Sequence, residues 1–336
     1  MPDHDPHRSG VVVSVPDDDL LAALQPLPDG VTAVVWDLAS PPPVPRIDLV
    51  VPPYMGDWKD RLAAVADVHP RLVQSQMLGY DGVEQRLPPG VPFAAAVGVH
   101  EASTAELAVG LILASLRRID EYVREAATGA PQIPVRGTSL ADRRVLLLGV
   151  GGVGRAIARR LEPFEVDLVR VGRVARTDQD GPVHGAAELP ALLADAEVVI
   201  LAVPLDTSTT GLVDRAFLAA LPDGALLVNV GRGPLVDTAA LVEATAGGRI
   251  RAALDVTDPE PLPTGHPLLT SPHVLAVPHV GGNSTAMRPR VVALVRAQAA
   301  RLAAGEPPLH VVLPVYGGTG QRRGRSSASG RTNPLS

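Results

Sequence analysis

Three short apolar runs of this chain are each followed directly by a side chain that could carry chemistry. Arg232 lies between two glycines in the segment Asn-Val-Gly-Arg-Gly. Asp255 follows the next run, with Glu260 a few residues later, and His279 follows the third run. Such runs are typical of strands in a parallel sheet, whose carboxyl ends lie along one rim. We therefore expect a cation, two carboxylates and an imidazole to meet there.

A guanidinium, an imidazole and a carboxylate together suit hydride transfer to a 2-oxo acid. Arg232 would hold the substrate carboxylate, and His279 would give a proton to the carbonyl oxygen as the hydride arrives. A carboxylate partner such as Glu260 favours the charged imidazole and fixes its orientation. Taken singly, the same residues fit a surface arginine, a solvated acid and a capped structural histidine. His273, which enters a strand, is interpreted as structural.

A glycine-rich turn lies between an apolar strand and an amphipathic helix in residues 145–161. Gly149, Gly151 and Gly154 have the G-x-G-x-x-G spacing. In a dinucleotide site the first glycine permits the tight turn, the second lets a pyrophosphate approach the backbone, and the third lets the helix pack closely. The amino end of the helix then offers N–H groups to the phosphates. The alternative is an ordinary Gly-rich turn.

The strand after this helix ends in Gly172 and Arg173, with Arg176 close behind. The NAD-binding version of the fold has an acidic residue at this strand end, whose carboxylate accepts a hydrogen bond from the ribose 2′-hydroxyl. Two guanidiniums instead suit a 2′-phosphate. The sequence therefore predicts NADP(H) as the preferred cofactor, with NAD(H) possible. Because Lys59 is the only lysine, the chain is biased towards arginine, and solvated surface arginines are the alternative.

The pattern of elements predicts an α/β protein with two parallel-sheet units. Strands and short helices alternate in the first unit, up to a Leu-Gly-Tyr-Asp-Gly segment that begins at Leu78 and follows a strand end. That segment is either a ligand loop or an ordinary turn. A single long helix is predicted over 102–127, with Ser103 or Thr104 as its cap. Six apolar runs then predict a doubly wound sheet, and a final helix and strand return to the first unit.

Composition excludes several classes of protein. The chain has 336 residues, a net charge of -6 and no cysteine, so nucleic-acid binding, disulfides and thiol chemistry are not expected. We predict no metal site and no membrane segment, and the polar amino terminus predicts a cytoplasmic protein. The basic, Gly/Ser-rich tail over 317–336 is predicted to be disordered, with weak anion binding as the alternative.

With these residues in view, the chain resembles the D-isomer-specific 2-hydroxyacid dehydrogenases, a family that includes glyoxylate/hydroxypyruvate reductases and phosphoglycerate dehydrogenases. The resemblance is dense from 102 to 282 and weaker before it. Besides the glycine turn, it rests on the segment Ala-Glu-Leu-Ala-Val-Gly-Leu at 105–111 and on Val-Pro-Leu at 203–205. It also rests on the segments that carry Arg232 and His279.

The resemblance implies two Rossmann-like or flavodoxin-like domains separated by a cleft. The substrate domain would comprise 1–100 and 285–316, and the NAD(P)-binding domain 101–284. The family also implies a homodimer built across the long helix. The expected ligands are a dinucleotide and a small 2-oxo or 2-hydroxy acid.

The resemblance further implies the role of individual residues. Arg232 would bind the substrate carboxylate and carbonyl, His279 would be the acid/base paired with Glu260, and Asp255 would touch the nicotinamide carboxamide. Substrate contacts are expected from Leu78, Gly79, Tyr80, Asp81, Arg232 and His279. Cofactor contacts are expected from Gly149, Gly151, Gly152, Val153, Gly154, Arg173, Arg176, Val203, Pro204, Thr209, Val230, Gly231, Arg232, Asp255, His279 and Gly281.

Three segments depart from the family pattern. Glu165 replaces a usual glycine, the run 206–208 replaces a usual Thr-Pro-Glu, and 141–144 replaces a usual Gly-Lys lead-in. None removes a catalytic group. Two other functions stay open at this point: a non-catalytic dinucleotide-binding scaffold, corepressor-like, that exposes a dimer surface, and a dehydrogenase of a non-carbonyl anion such as phosphite.

Overall fold

A computed structural model of the chain describes residues 10–129, 131 and 133–314. The prediction for the 317–336 tail lies outside the described residues. The described strands, in chain order, are β1 Val11–Val15, β2 Val31–Val35, β3 Leu49–Val50, β4 Leu72–Gln74, β5 Phe93–Ala94, β6 Arg144–Leu148, β7 Asp167–Gly172, β8 Arg176–Asp178, β9 Gly181–Gly185, β10 Val198–Leu201, β11 Leu226–Asn229, β12 Arg251–Leu254, β13 Val274–Ala276 and β14 Val311–Leu313.

The described α-helices are α1 Asp18–Ala23, α2 Glu101–Leu116, α3 Ile119–Ala126, α4 Gly152–Leu161, α5 Leu189–Leu192, α6 Arg215–Ala220, α7 Thr238–Ala246, α8 Pro267–Thr270 and α9 Met287–Ala304. Short 3₁₀ segments connect several of them. The longest, Trp58–Val68, lies where the sequence predicts a helix, and it buries Trp58 and Leu62.

The first sheet contains six strands in the order β14-β5-β4-β3-β1-β2. Its neighbours are parallel except at the edge, where β14 runs antiparallel to β5. The part β2-β1-β3-β4-β5 has the flavodoxin-like order 2-1-3-4-5. Helix α9 packs on β1 and β2, so the chain returns to this sheet after completing the second one.

The second sheet contains eight strands in the order β13-β12-β11-β10-β6-β7-β9-β8. Numbered from β6 and leaving out β8, this is the doubly wound order 3-2-1-4-5-6 with one strand added beyond the sixth. Both faces of the sheet are covered. Val145 and Leu147 point into one buried apolar cluster, while Leu146 and Leu148 point into the other. Burial on both faces explains why its strands read as continuous apolar runs.

These two sheets confirm the predicted fold class. Strands β1–β5 and β14 belong to one sheet and β6–β13 to the other, which is the arrangement that the expected division into 1–100 plus 285–316 and 101–284 requires. The domain boundaries themselves stay predictions. Among the described helices, none combines the length and the apolarity needed to cross a bilayer.

The predicted single helix over 102–127 is wrong, because the chain forms two helices. Helix α2 ends at Leu116, and Arg118 takes a left-handed conformation (φ 56°) before α3 begins. The helix also starts earlier than predicted. His100 stands at the N-cap position without a side-chain cap bond, and Ser103 does not cap the helix but contacts the hydroxyl of Ser284 at 2.6 Å.

The second sheet also contains two strands that the sequence analysis does not predict. Strands β8 and β9 form a polar hairpin that turns at Gly181 (φ +105°). Arg170, which is buried, reaches across to Asp178 at 2.8 Å and stabilises the hairpin. Apolar periodicity could not reveal these strands, because they are short and their side chains are mostly polar. In the first sheet, β5 is only two residues long and is likewise not predicted.

The close packing of α4 on the glycine turn gives a stability prediction. A Cβ at Gly154 would lie 1.8 Å from the carbonyl oxygen of Gly149. We expect Gly154→Ala to lower the free energy of unfolding by ~2 kcal/mol or more, measured by denaturant titration. Gly110→Ala is the matched control, since that helical glycine is exposed and no atom lies within 4 Å of its would-be Cβ. Equal stability of the two variants would contradict the packing argument.

Candidate active site in the cleft

A cleft of about 620 Å³ is lined by residues from both sheets. The first sheet contributes segments that follow β3, β4 and β5, and the second contributes the amino end of α4 and the segments that follow β10, β11, β12 and β13. All of these lie at carboxyl ends of parallel strands, where open α/β sheets bind ligands. The predicted site residues that line the cleft are Leu78, Gly79, Tyr80, Asp81, Gly151, Gly152, Val153, Val203, Pro204, Val230, Gly231, Arg232, Asp255 and His279.

His279 and Glu260 form a direct pair at this rim. Nδ1 of His279 lies 2.5 Å from Oε1 of Glu260, and each side chain is 40% exposed. His279 adopts a left-handed backbone conformation (φ 52°), and its N–H donates to the carbonyl of Asp255 at 2.9 Å. A non-glycine residue held at positive φ is uncommon and needs support from its surroundings. With Nδ1 on the carboxylate, Nε2 is the ring atom left for a ligand.

Asp255 supplies that support. Its carboxylate is 3% exposed and accepts the N–H groups of Val280 at 2.7 Å and of Gly281 at 3.0 Å. Burial raises the pKa of Asp255, and these hydrogen bonds act in the opposite direction. A Cβ at Gly281 would lie 2.6 Å from Oδ2 of Asp255, so the position requires glycine. Gly281 therefore permits the close approach of the Asp255 carboxylate below the cleft surface. Its contact with the cofactor stays a prediction.

Arg232 crosses the cleft to the first sheet. Its Nε donates to Oδ2 of Asp81 at 3.0 Å, and its Nη1 donates to the carbonyl of Gly231 at 2.7 Å. Buried Asn229 fixes the turn, donating from Nδ2 to the carbonyl of Arg232 at 2.9 Å and accepting from the N–H of Gly231 at 3.0 Å. A Cβ at Gly79 would lie 1.6 Å from the guanidinium, which therefore rests on bare backbone.

Lys59 stabilises the same loop from outside the cleft lining. Its Nζ donates to the carbonyl of Asp81 at 2.9 Å. Burial lowers the pKa of Lys59, the carboxylate of Asp81 raises it, and the cation of Arg232 lowers it again. The ammonium group of Lys59 is therefore occupied by its hydrogen bond to the loop backbone.

His100 and Tyr54 are cleft residues that sequence reasoning missed. The imidazole of His100 lies between two carbonyls, with Nε2 2.6 Å from Gln76 and Nδ1 3.3 Å from Gly282. The ring stacks on Tyr54 with centroids 5.5 Å apart. His100 thus links the loop after β4 to the segment after His279. Its position next to the predicted helix start was the available signal, but a lone histidine there has no motif.

The glycine turn has the geometry that a dinucleotide needs. Gly149 has φ +106°, and a Cβ there would lie 2.4 Å from the carbonyl of Ala202. Gly151 has no atom within 4 Å of its would-be Cβ, and it faces the cleft at the amino end of α4. Gly149 and Gly154 shape the turn from below. Bare backbone N–H groups beside open space fit a pyrophosphate.

Glu101 flanks this turn and was also missed by sequence reasoning. One carboxylate oxygen accepts the N–H of Gly98 at 2.7 Å, and the other is buried without a partner. A Cβ at Gly152 would lie 2.9 Å from Cγ of Glu101. The second glycine of the Gly-Gly pair therefore makes room for this acid.

The predicted 2′-phosphate residues lie outside the cleft lining. Arg173 follows β7, has a side chain 73% exposed and contacts Asp206 at 2.8 Å. Hydrogen bonds from Ser208 hold the pKa of Asp206 below its usual range. Arg176 donates to the carbonyl of Val174 at 3.3 Å. Thr209 is not brought to the cleft, since its hydroxyl donates to the carbonyl of Pro204 at 2.8 Å within its own loop.

Comparisons with known proteins agree with this architecture. Residues 109–281 match the family described as D-isomer specific 2-hydroxyacid dehydrogenase, NAD binding domain. The human glyoxylate reductase/hydroxypyruvate reductase is 32% identical over 262 residues, which is 73% of this chain and 80% of the human protein.

Solved structures with the same fold include two relatives. A D-isomer specific 2-hydroxyacid dehydrogenase from Xanthobacter autotrophicus Py2, in complex with NADPH and MES, has 30% identity and a TM-score of 0.75, over 90% of this chain and 98% of that one. An NADPH-dependent glyoxylate/hydroxypyruvate reductase from Sinorhizobium meliloti, in complex with NADP and sulfate, has 27% identity and a TM-score of 0.75, over 91% and 98%. The chain therefore belongs to the D-isomer-specific 2-hydroxyacid dehydrogenases and is an oxidoreductase, as its motifs predict.

Proposed function

We propose that this enzyme transfers a hydride between NADPH and a small 2-oxo acid, giving the D-2-hydroxy acid. Family membership supports NAD(P)-dependent 2-hydroxyacid or glyoxylate reductase activity. The observation that carries the residue-level proposal is the His279–Glu260 pair at 2.5 Å, of which His279 lines the same cleft as Arg232 and the glycine turn. A pure scaffold would have no need of that combination.

Arg232 and the 78–81 loop bind the substrate carboxylate. The guanidinium rests on Gly79, so a carboxylate placed above the loop reaches both the loop backbone and the cation. The Asp81 carboxylate that contacts Nε holds the guanidinium in place. Arginine suits this task because its planar donors match a carboxylate.

His279 is the acid/base. In the reductive direction its Nε2–H donates a proton to the substrate carbonyl oxygen, and in the oxidative direction Nε2 takes the proton from the hydroxyl. Glu260 accepts a hydrogen bond from Nδ1, which orients the ring and leaves Nε2 for the substrate. The hydrogen bonds that Val280 and Gly281 donate to the Asp255 carboxylate hold the backbone so that the imidazole of His279 lines the cleft.

A bound nicotinamide dinucleotide supplies the hydride. Its pyrophosphate would be held by the N–H groups of 151–153 at the amino end of α4, and Asp255 would accept from its carboxamide. Closure of the cleft between a substrate domain (1–100 with 285–316) and a cofactor domain (101–284) would exclude water from the reacting groups.

The preference for NADPH rests on the end of β7. Gly172 occupies the position where an acid would accept a ribose 2′-hydroxyl, and Arg173 stands beside it with its side chain largely in solvent. The Xanthobacter and Sinorhizobium relatives were solved with NADPH and NADP. A guanidinium at this place binds a 2′-phosphate and gives little to a 2′-hydroxyl.

A homodimer would cover an apolar surface on α3. Ile119 is 51% exposed and Val123 is 65% exposed, and no residue of this helix is buried within the described part of the chain. Val135 adds further apolar surface in the segment that follows. Neighbouring exposed apolar residues are typical of interaction sites.

His279→Ala should lower kcat by about 10² or more, because the reaction loses its proton donor. Glu260→Gln should lower kcat by about tenfold or more, since an amide replaces the charged acceptor that orients the imidazole through Nδ1. Steady-state kinetics with glyoxylate, hydroxypyruvate and phenylpyruvate measure both effects. The matched controls are His184→Ala and Glu188→Gln. These two side chains also form a His–Glu pair, with Nδ1 2.7 Å from Oε2, but they lie outside the cleft lining. Turnover unaffected by His279→Ala would refute the acid/base role.

Arg173→Asp should weaken NADPH binding by about tenfold or more and reverse the preference between NADPH and NADH, since a carboxylate repels a 2′-phosphate. Dissociation constants of both dinucleotides, measured by fluorescence titration, test this without turnover. Arg215→Asp is the control, because that arginine is also exposed and paired with an acid, on helix α6. A wild-type preference for NADH would contradict the proposal.

Val123→Glu should shift the protein from dimer to monomer at micromolar concentration, because a charge would be buried at the interface. Light scattering coupled to size exclusion gives the mass. Val174→Glu is the control, since Val174 has the same 65% exposure but lies between β7 and β8. A wild-type monomer would exclude the α3 interface.

A further inference from the structure

The half of the cleft that the first sheet contributes contains a group of apolar side chains beside Asp81, Glu84 and His100. Five side chains with large apolar surfaces line it, and we call them the apolar wall: Tyr54, Met77, Leu78, Tyr80 and Val97. We propose that the substrate is a 2-oxo acid whose side chain is uncharged and apolar or aromatic, and that this side chain packs on the apolar wall. The inference rests on the proposed 2-oxoacid reduction and names its substrate class.

Part of the apolar wall lies open to solvent. Tyr80 is 43% exposed and Val97 is 40% exposed, although both line the cleft. Exposed apolar surface within a cleft is typical of a ligand site, since covering it is favourable. A substrate as small as glyoxylate has no side chain to cover it, whereas an aryl group does.

Tyr54 gives the wall a fixed aromatic face. Its ring stacks on His100 with an interplanar angle of 20°, and His100 is itself held by two carbonyls. Burial, with a further contribution from the carboxylate of Asp255, raises the pKa of Tyr54, so the phenol stays neutral. A neutral ring with a fixed orientation is suited to packing against another ring.

The charges around the wall disfavour a second anionic group on the substrate. Within the described chain, the arginines that line the cleft are Arg155, on cofactor-side helix α4, and Arg232, which the substrate 1-carboxylate requires. Two other cations that contact this loop are already engaged: Lys59 donates to the carbonyl of Asp81, and Arg86, which donates to the carbonyl of Gly82, also contacts Asp60 at 2.8 Å.

Acidic residues strengthen this discrimination. Asp81, Glu84 and Glu101 all line the cleft, and only Asp81 is paired with a cleft arginine. A phosphate or second carboxylate on the substrate would meet these charges, while the cleft arginine not taken by the 1-carboxylate, Arg155, lies on the cofactor-side helix. Dicarboxylic and phosphorylated 2-oxo acids are therefore expected to be poor substrates.

The test compares kcat/KM for phenylpyruvate, glyoxylate, hydroxypyruvate and phosphonopyruvate with the same dinucleotide. We expect phenylpyruvate to exceed glyoxylate by about tenfold or more, because burying an aryl group on the wall stabilises the transition state. Phosphonopyruvate should be the poorest. Turnover that favours glyoxylate or phosphonopyruvate would overturn the substrate class and leave the reductase function standing. Absence of turnover with every 2-oxo acid would remove the reductase function and the inference together.

Variants of the wall link this preference to the structure. Tyr54→Ala should lower the ratio of kcat/KM for phenylpyruvate to that for glyoxylate by about fivefold or more, since the aromatic face is lost. Met55→Ala is the matched control, because Met55 is 68% exposed and is not among the residues that line the cleft. Tyr80→Ala, on an exposed loop, gives the same test should Tyr54→Ala fail to fold. A ratio unchanged by both wall variants would overturn the assignment of the wall to the substrate side chain.

Discussion

The site depends on one buried carboxylate. Asp255 directly follows β12 and accepts the backbone N–H groups of the two residues that follow His279, while its own carbonyl accepts the N–H of His279. These bonds hold His279 in a conformation that a histidine rarely adopts, with Nδ1 on Glu260. Burial raises the pKa of Asp255, and the N–H hydrogen bonds to its carboxylate offset part of the cost of burying the charge. Removing that carboxylate would leave the loop without its anchor.

The parallel sheets provide the rest of the constraint. Each βα crossover brings the chain back in the same direction, so segments far apart in sequence end at one rim. Arg232 and Asp81 are 151 residues apart and still contact each other across the cleft. The glycines at 79, 149 and 281 mark places where a backbone must pass within contact distance of another group. The structure thus combines rigid strand ends with a few positions that admit no side chain.

Much of this could be predicted from the sequence. Apolar runs on doubly covered strands, the glycine spacing and the polar residues at strand ends identify the fold and bring Arg232, Glu260 and His279 together. Features without periodicity could not be predicted: the polar β8–β9 hairpin and the break at Arg118, where a left-handed residue interrupts an otherwise helical pattern. His100 and Tyr54 were missed because each acts through a tertiary contact that no local motif encodes. Asp206 was noticed only as a departure from a family pattern, whereas the structure pairs it with Arg173.

The hairpin has a consequence for how this protein behaves at high concentration. The edge strand of an open sheet has unpaired backbone N–H and C=O groups, which can pair with strands of neighbouring molecules. Here the outermost strand, β8, has only three residues, two of them charged, and one of these is tied to buried Arg170. A strand from another molecule would have to pair with a strand of three residues, two of which carry charged side chains. The edge of the sheet that carries β8 is thus protected against edge-to-edge aggregation. The adenosine end of the dinucleotide is predicted to bind near this same edge.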